Sequence, residues 1–391
     1  ELVQALHRNE LFRGITEGTQ GVDFLGAYLP APKRLSPALL ASANEELSSA
    51  LQHHGYAPHG YPPLQEAIAH HLTSRGLPTA RSQVLVTNGA QQAISLAMAF
   101  FVQRGEAIAL ENPTYPGAID AATSVGAQLI SIPTGMDGAR VSTIADILAN
   151  RNPKLIYLNP SFHNPTGTVM PDPARAEVAR LIERHQVVLI DDRAETELTM
   201  GREPPAPPIA AHAPEAPILT VGSMSKLFWG GLRVGWIRAP IPLLSRLTGF
   251  KAVLDLGTSL PGQVVATALL HDIEAVRRER REMIAPRLHL LEALLTELLP
   301  SWSWSRPKGG LVLWVRMPWG SARELAVEAR RQGVSILPGP TMSPDLSFDN
   351  HIRLTVSRTP EILTEGIRRL AAAWDDYAPR AEGRGELEVI V

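Results

Sequence analysis

A chain of 391 residues is longer than one hydrophobic core usually serves, so two packed lobes are expected. With 45% hydrophobic residues, 19% charged residues and a formal net charge of −2, it offers no electrostatic basis for a nucleic-acid or membrane surface. The absence of cysteine excludes disulfides, thiolate metal sites and cysteine nucleophiles, and the lack of a membrane-length apolar run or secretory pattern makes a cytoplasmic location the expectation. An initiator methionine is normally retained before glutamate, so a chain opening on Glu1 is expected to be a processed piece of something longer.

Residues 1–55 are polar and broken by proline, with one helix-like stretch from Pro37 to Leu51; they form an N-terminal arm and part of a small domain. Residues 56–262 read as a large domain. A helix starts at Pro62, with Leu64, Ala67, Ile68 and His71 on one face. The strand Gln83–Thr87 runs into Asn88-Gly89 and a helix from Ala90 to Val102. AIALE, QLISIP, KLIYLNP, VVLIDD and ILTVGS are short, β-branched apolar runs. Helical segments at Ile119–Val125, Thr143–Ala149 and Pro173–His185 separate them, which predicts a mostly parallel sheet with helices on both faces. LRVGWIRAP adds a strand. Residues 263–391 read as a smaller α+β domain. It has one or two long helices over Ile273–Leu299, a helix over Ser321–Gln332, the strands GGLVLWVRMP, VSILPG and HIRLTVS, a last helix over Glu361–Trp374 and a loose tail from Arg384. The run from Arg277 to Arg281 reads as a solvated helix face, and Trp229 and Trp236 as packing. His53-His54 and His70-His71 read as surface or packing residues, because adjacent helical histidines diverge and no acidic partner sits at helical spacing; no metal site is expected.

Ligands of open parallel sheets bind beyond the carboxyl ends of the strands. The polar residues collected there are Asn88 to Gln91, Asn112 to Tyr115, Asn159 to Gly167, Asp191-Asp192, Ser223 to Lys226, and Arg233. Hydroxyls, a helix N-terminus and an arginine suit a phosphate dianion. A carboxylate suits a protonated ring nitrogen, and an aromatic side chain suits a flat ring. A semi-buried lysine loses its proton easily and becomes a nucleophile toward an aldehyde. Phosphate, pyridine and aldehyde together describe pyridoxal 5′-phosphate (PLP).

Four motifs, in order, carry a family resemblance over roughly residues 22–376: Asn164-Pro165-Thr166-Gly167; Asp191 closing VVLIDD; Ser223-x-Ser225-Lys226 followed by Gly231-Leu232-Arg233; and Ile352-Arg353-Leu354. The chain resembles the fold-type I, class I/II PLP-dependent aminotransferases. Within them it is most similar to the aminotransferase-like domain of MocR-type (GntR superfamily) regulators, through Tyr56-AlaProHisGlyTyrPro, Thr87-AsnGlyAlaGlnGln, Glu111-AsnProThrTyrPro and GSMSKLFWGGLRVGW. The resemblance implies a Schiff base on Lys226, which also moves the substrate's Cα proton. It implies Asp191 at the pyridine nitrogen, Asn164 at the ring oxygen and Tyr115 on the ring face. Gly89, Ala90, Gln91, Ser223, Ser225 and Arg233 would surround the phosphate, and Tyr56 would reach the phosphate of a neighbouring subunit in a homodimer with shared sites. Arg353 would bind the substrate α-carboxylate, with Gly26 close by.

One departure stands out. The family usually places a tyrosine two or three residues after the aspartate, donating to the ring oxygen, and counting from Asp191 those positions hold Arg193 and Ala194. Arg193 either supplies a charged donor or points elsewhere. Three functions are therefore expected to compete: an aminotransferase working on an α-amino acid and a 2-oxo acid; a PLP or amino-acid sensor joined to a DNA-binding module; and a specialised biosynthetic PLP enzyme. Nucleic acid is a partner only if such a module precedes Glu1.

Overall fold

The computed structural model describes residues 21–52, 54–201 and 205–385. The arm ahead of residue 21, His53 and residues 386–391 of the expected tail lie outside the described residues. In chain order the elements are β1 (Val22–Asp23), α1 (Pro37–Ala50), α2 (Pro62–Ser74), β2 (Val84–Thr87), α3 (Ala90–Phe101), β3 (Ala107–Asn112), α4 (Pro116–Ser124), β4 (Gln128–Gly135), β5 (Gly138–Ala139), α5 (Val141–Asn150), β6 (Leu155–Leu158), α6 (Asp172–His185), β7 (Val188–Asp192), β8 (Ile218–Ser223) and β9 (Gly235–Arg238). There follow α7 (Ile241–Asp255), α8 (Leu260–His271), α9 (Ile273–Leu298), β10 (Ser303–Trp304), β11 (Val312–Arg316), α10 (Ala322–Arg331), β12 (Val334–Ser335), β13 (Leu337–Pro338), β14 (His351–Thr355) and α11 (Pro360–Gly385).

The large sheet has the order β2-β9-β8-β7-β6-β3-β4-β5. Strands β8, β7, β6, β3 and β4 are mutually parallel, as expected, while β9 runs antiparallel between β2 and β8. Seven strands make the expected sheet, and the two-residue β5 adds an antiparallel eighth at its edge. Side chains alternate across it. Ile108, Leu110, Tyr157 and Ile190 pack under α3, α4 and α7, whereas Ala109, Ile156, Leu158 and Leu189 pack under α5 and α6. Because both faces are covered, these strands read as continuous apolar runs and not as alternating ones.

A smaller antiparallel sheet, β10-β11-β14-β13, is covered by α9, α10 and α11. Its core is continuous with the edge of the large sheet: Val84, Val86 and Trp236 share one cluster with Leu288, Leu313, Leu354 and Leu370. The N-terminal β1 pairs parallel with β12, tying residues 22–23 to this lobe. Trp236 is buried in that core as read, whereas Trp229 is 42% exposed.

Two expectations are corrected here, and the choice between one and two long helices is settled. The last helix does not stop at Trp374 but continues to Gly385, so Arg384 belongs to it. Ile273–Leu298 is a single helix, which Pro286 does not end. The Arg277–Arg281 run is only in part a solvated face: Arg278 is exposed, but Arg280 is buried. Val276, Arg280, Ile284, Leu288, Leu291 and Leu295 form the buried stripe of α9 at helical spacing. Arg280 can sit in it because its guanidinium donates to the carbonyls of Leu227, Phe228 and Pro30, each at 2.7 Å. Arg277 pairs with Glu197 at 3.1 Å.

Candidate active site

At the carboxyl end of β8 the chain turns through Ser223, Met224 and Ser225 to Lys226, and the Ser223 hydroxyl accepts the Ser225 amide at 3.1 Å. The two glycines flanking this turn answer to close approach. A Cβ on Gly222 would stand 2.2 Å from the Trp236 ring, and one on Gly235 would stand 2.6 Å from the Gly89 backbone. Strand β9 can therefore lie directly against the loop that opens α3. Gly89 itself has φ +87°, and the Arg233 guanidinium lies 3.1 Å from where its Cβ would be. Arg233 is held there by the carbonyls of Asn88 (2.6 Å) and Gly230 (3.4 Å). One corner of the site thus gathers the N-terminus of α3, two hydroxyls and an arginine, a donor set for a dianion.

A cavity opens beside this corner. It is lined by Ala90, Gln91, Tyr115, Asn159, Asn164, Asp192, Ala194, Glu195, Ser223, Ser225, Lys226 and Arg233. Burial lowers the proton affinity of Lys226; Glu195 and Asp192 raise it in part and Arg353 lowers it further. Lys226 Nζ donates to the Ala27 carbonyl at 2.8 Å. Burial, with Asp192 nearby, pushes the Tyr115 hydroxyl up to about 12. Arg353, on β14, reaches the lining through Asn164, whose Oδ1 it meets at 3.3 Å, and its other Nη donates to the Leu25 carbonyl. Burial brings Arg353 down to about 10. Gly26 lies between the two carbonyls that take Lys226 and Arg353, and a Cβ there would strike the Tyr28 ring at 2.0 Å.

The two neighbouring aspartates part company. Asp191 lies on the α5/α6 face of β7, where Oδ2 accepts the Ile209 amide at 2.9 Å and Oδ1 is buried with no hydrogen-bond partner among the described residues. Asp192 shares the parity of Val188 and Ile190, and lines the cavity. Its Oδ2 accepts the Tyr157 hydroxyl at 2.6 Å, its Oδ1 accepts the Ala194 amide at 3.0 Å, and burial raises its carboxyl to about 6. Asp191 as the cavity's carboxylate is thereby corrected to Asp192, because a period of two sends adjacent strand residues to opposite faces. The positions two and three residues on shift with it, from Arg193 and Ala194 to Ala194 and Glu195. Arg193 points elsewhere: its guanidinium donates to the carbonyls of Ala206 (2.8 Å) and Pro207 (3.4 Å). Glu195, 2% exposed, was not among the residues singled out from the sequence.

Tyr56 is not brought into this cavity; it is 63% exposed. Nor is His71 without an acidic partner, since Glu197 lies 3.1 Å from its Nε2, supplied by tertiary structure and not by helical spacing. Among the described residues, no helix is long and apolar enough to cross a membrane.

A mostly parallel α/β sheet with a lysine set just past a strand end, an anion corner and a smaller α+β lobe is the architecture of the fold-type I PLP-dependent transferases. Within that class the chain belongs to the aminotransferase class I and II family, whose model matches residues 26–370. It is 32% identical over 386 residues to 2-aminoadipate transaminase of Thermus thermophilus, covering 95% of this chain and 94% of that protein. It is also 32% identical over 350 residues to the uncharacterized HTH-type transcriptional regulator YdfD of Bacillus subtilis, covering 87% of this chain and 72% of that protein. Among solved structures it is similar to LysN, the α-aminoadipate aminotransferase of Thermus thermophilus complexed with N-(5′-phosphopyridoxyl)-L-leucine (TM-score 0.84, 29% identity, 95% of this chain and 94% of that one). It is similar also to the Pyrococcus horikoshii kynurenine aminotransferase complexed with PMP (TM-score 0.85, 26% identity, 95% and 94%).

Proposed function

We propose that this protein is a PLP-dependent aminotransferase that works on an α-amino acid and a 2-oxo acid through a covalent link to Lys226. What supports the reading is one convergence: a lysine whose proton burial loosens, a buried carboxylate and a helix N-terminus backed by Arg233 all face the same cavity. The residues fit the group. Ala90, Gln91, Ser223, Ser225 and Arg233 would hold its phosphate, with Gly89 letting Arg233 come close. Tyr115 and Ala194 would flank its ring, and Asp192 would face its ring nitrogen. Bound PLP supplies an aldehyde that condenses with amines and a ring that draws electrons from the substrate α-carbon.

The chain's own groups do the rest. Arg353 takes the substrate carboxylate, for which a planar guanidinium is suited. Asn164, already in contact with Arg353, fixes that arginine relative to the ring. Lys226 Nζ, reluctant to stay charged, carries the proton at the substrate α-carbon. Asp192, shielded from water and held by Tyr157, keeps a negative charge or a shared proton at the ring nitrogen. A homodimer completes the reading. Tyr56, Val253, Leu254 and Leu256 are exposed, and Gly257 packs against Ala57, so these apolar groups lie beside one another for a partner copy to cover.

The test is spectroscopic. The purified chain is mixed with PLP and then with a panel of amino acids and 2-oxoglutarate. A visible band that Lys226→Ala abolishes, and that at least one amino acid shifts, is the expected result; a band that survives in Lys226→Ala ends the reading.

A second reading, a PLP-binding effector domain of a MocR-type regulator, is favoured by the match to YdfD and by Glu195 in place of a tyrosine. A winged-helix sequence in the natural reading frame ahead of Glu1 is what it requires.

A further inference from the structure

Glu195 is the one acidic group of the cavity lining with no part in the aminotransferase reading. It follows Asp192 by three residues, and its side chain turns into the space shared with Lys226, Tyr115 and Asn164. Among the described residues, the one hydrogen bond to its carboxylate comes from the Leu311 amide, which donates to Oε2 at 3.2 Å. A buried carboxylate with a single neutral donor is poorly compensated by hydrogen bonds. The cations within its electrostatic reach are those of the site. It is the foremost charge opposing burial at Lys226, and likewise at Arg353.

A tyrosine hydroxyl and a carboxylate act in opposite senses beside a phenolate ring oxygen. The hydroxyl donates, spreading the negative charge and loosening a proton on the neighbouring nitrogen. An ionised carboxylate has nothing to donate. It repels the ring oxygen unless a proton lies between them, and it strengthens the hold on any proton carried by the lysine nitrogen. A proton added near this pair is therefore shared and not lost.

We propose that Glu195 is an acid–base residue of this pocket, whose carboxylate retains a proton on the Lys226–PLP linkage and ring oxygen where aminotransferases of this family usually release it with a tyrosine. The inference rests on the cofactor reading above. No net proton is consumed: the one held near Glu195 and Lys226 would stay in the site while the substrate enters as its free amine, the form that can attack.

The test is the pH titration of the visible absorbance of the PLP-loaded protein, which reads protonation without turnover. In the wild type the long-wavelength, protonated band is expected to persist at least about one pH unit higher than in Glu195→Gln, roughly a tenfold difference in proton affinity. Gln keeps an oxygen to accept the Leu311 amide, so the fold is preserved. Glu195→Asp, which retains the charge, should titrate closer to the wild type. Glu195→Ala serves as a second neutral variant and should titrate with Glu195→Gln. A structural Glu195 would leave every midpoint where it is. Coincident midpoints for the wild type and both neutral variants, with the band itself present, overturn this proposal and leave the cofactor reading standing. A wild type that forms no band overturns both.

Discussion

Asp191 and Asp192, adjacent at the end of β7, send their carboxylates to opposite faces of the large sheet: one to the Ile209 amide at 2.9 Å, the other to the Tyr157 hydroxyl at 2.6 Å. One holds a turn and the other faces the cavity, so the two can be separated by mutation. Asp192→Asn is expected to lower the rate of the amino-acid-dependent half-reaction on the order of 10²-fold, because the electrostatic partner of the ring is lost in a buried setting. Asp191→Ala is expected to leave that rate within about threefold while costing roughly 1–3 kcal/mol of stability, the Ile209 amide being left without an acceptor. Stopped-flow absorbance and urea denaturation of both variants check this. A larger rate loss in the Asp191 variant would return the assignment to Asp191.

Gly89 combines φ +87° with an arginine pressed against the position of a Cβ. Gly89→Ala is therefore expected to strain the loop by about 1–2 kcal/mol and push Arg233 off the corner. PLP affinity should fall by about tenfold or more, read by fluorescence titration.

Arg280 fastens the segment that follows the lysine by donating to the carbonyls of Leu227 and Phe228. Arg280→Ala leaves buried acceptors unpaired and should cost about 3 kcal/mol or more. It should also slow formation of the visible band on mixing with PLP, although Arg280 never meets the cofactor. A band forming at the wild-type rate in a destabilised variant would limit Arg280 to stability alone.

Glu197 sets an acid limb. Burial pushes its carboxyl up, but His71, Arg75 and Arg277 outweigh burial and bring it from 4.5 to about 2. The folded-state value is depressed, so the stabilisation is fully present above the unfolded value and is lost as pH falls from about 4.5 toward 2. The shift corresponds to roughly 3 kcal/mol. Glu197→Gln should lower stability at pH 7 and flatten its decline between pH 5 and pH 2, as followed by denaturation midpoints. A parallel decline in both proteins would contradict this.

The parallel strands and their helices were legible because short β-branched runs and 3.6-residue periodicities are local signals. So was Lys226, since hydroxyls, glycines and an arginine crowd around it in sequence as they do in space. The choice between Asp191 and Asp192 was not legible, for a specific reason: Val187 to Ile190 is apolar on both faces, so no alternation marks which parity meets the cavity. Counting the tyrosine position from Asp191, and not from the cavity-facing Asp192, then hid Glu195. Arg280 escaped because its neutralising partners are backbone carbonyls from distant segments, which leave no trace in composition. The His71–Glu197 pair spans 126 residues and is equally invisible to helical spacing.

Lys226 and Arg353 both already have oxygen ligands from one three-residue segment, the carbonyls of Ala27 and Leu25. On the reading proposed above, an incoming amino acid would swap oxygens and not simply add them: its carboxylate would compete with a peptide carbonyl for the guanidinium. Net affinity would then be the difference between a charge-assisted pair and the neutral carbonyl contact that it displaces. Selectivity among substrates would then be a contest against a built-in rival, in which a ligand too weak to displace the chain's own carbonyls is refused.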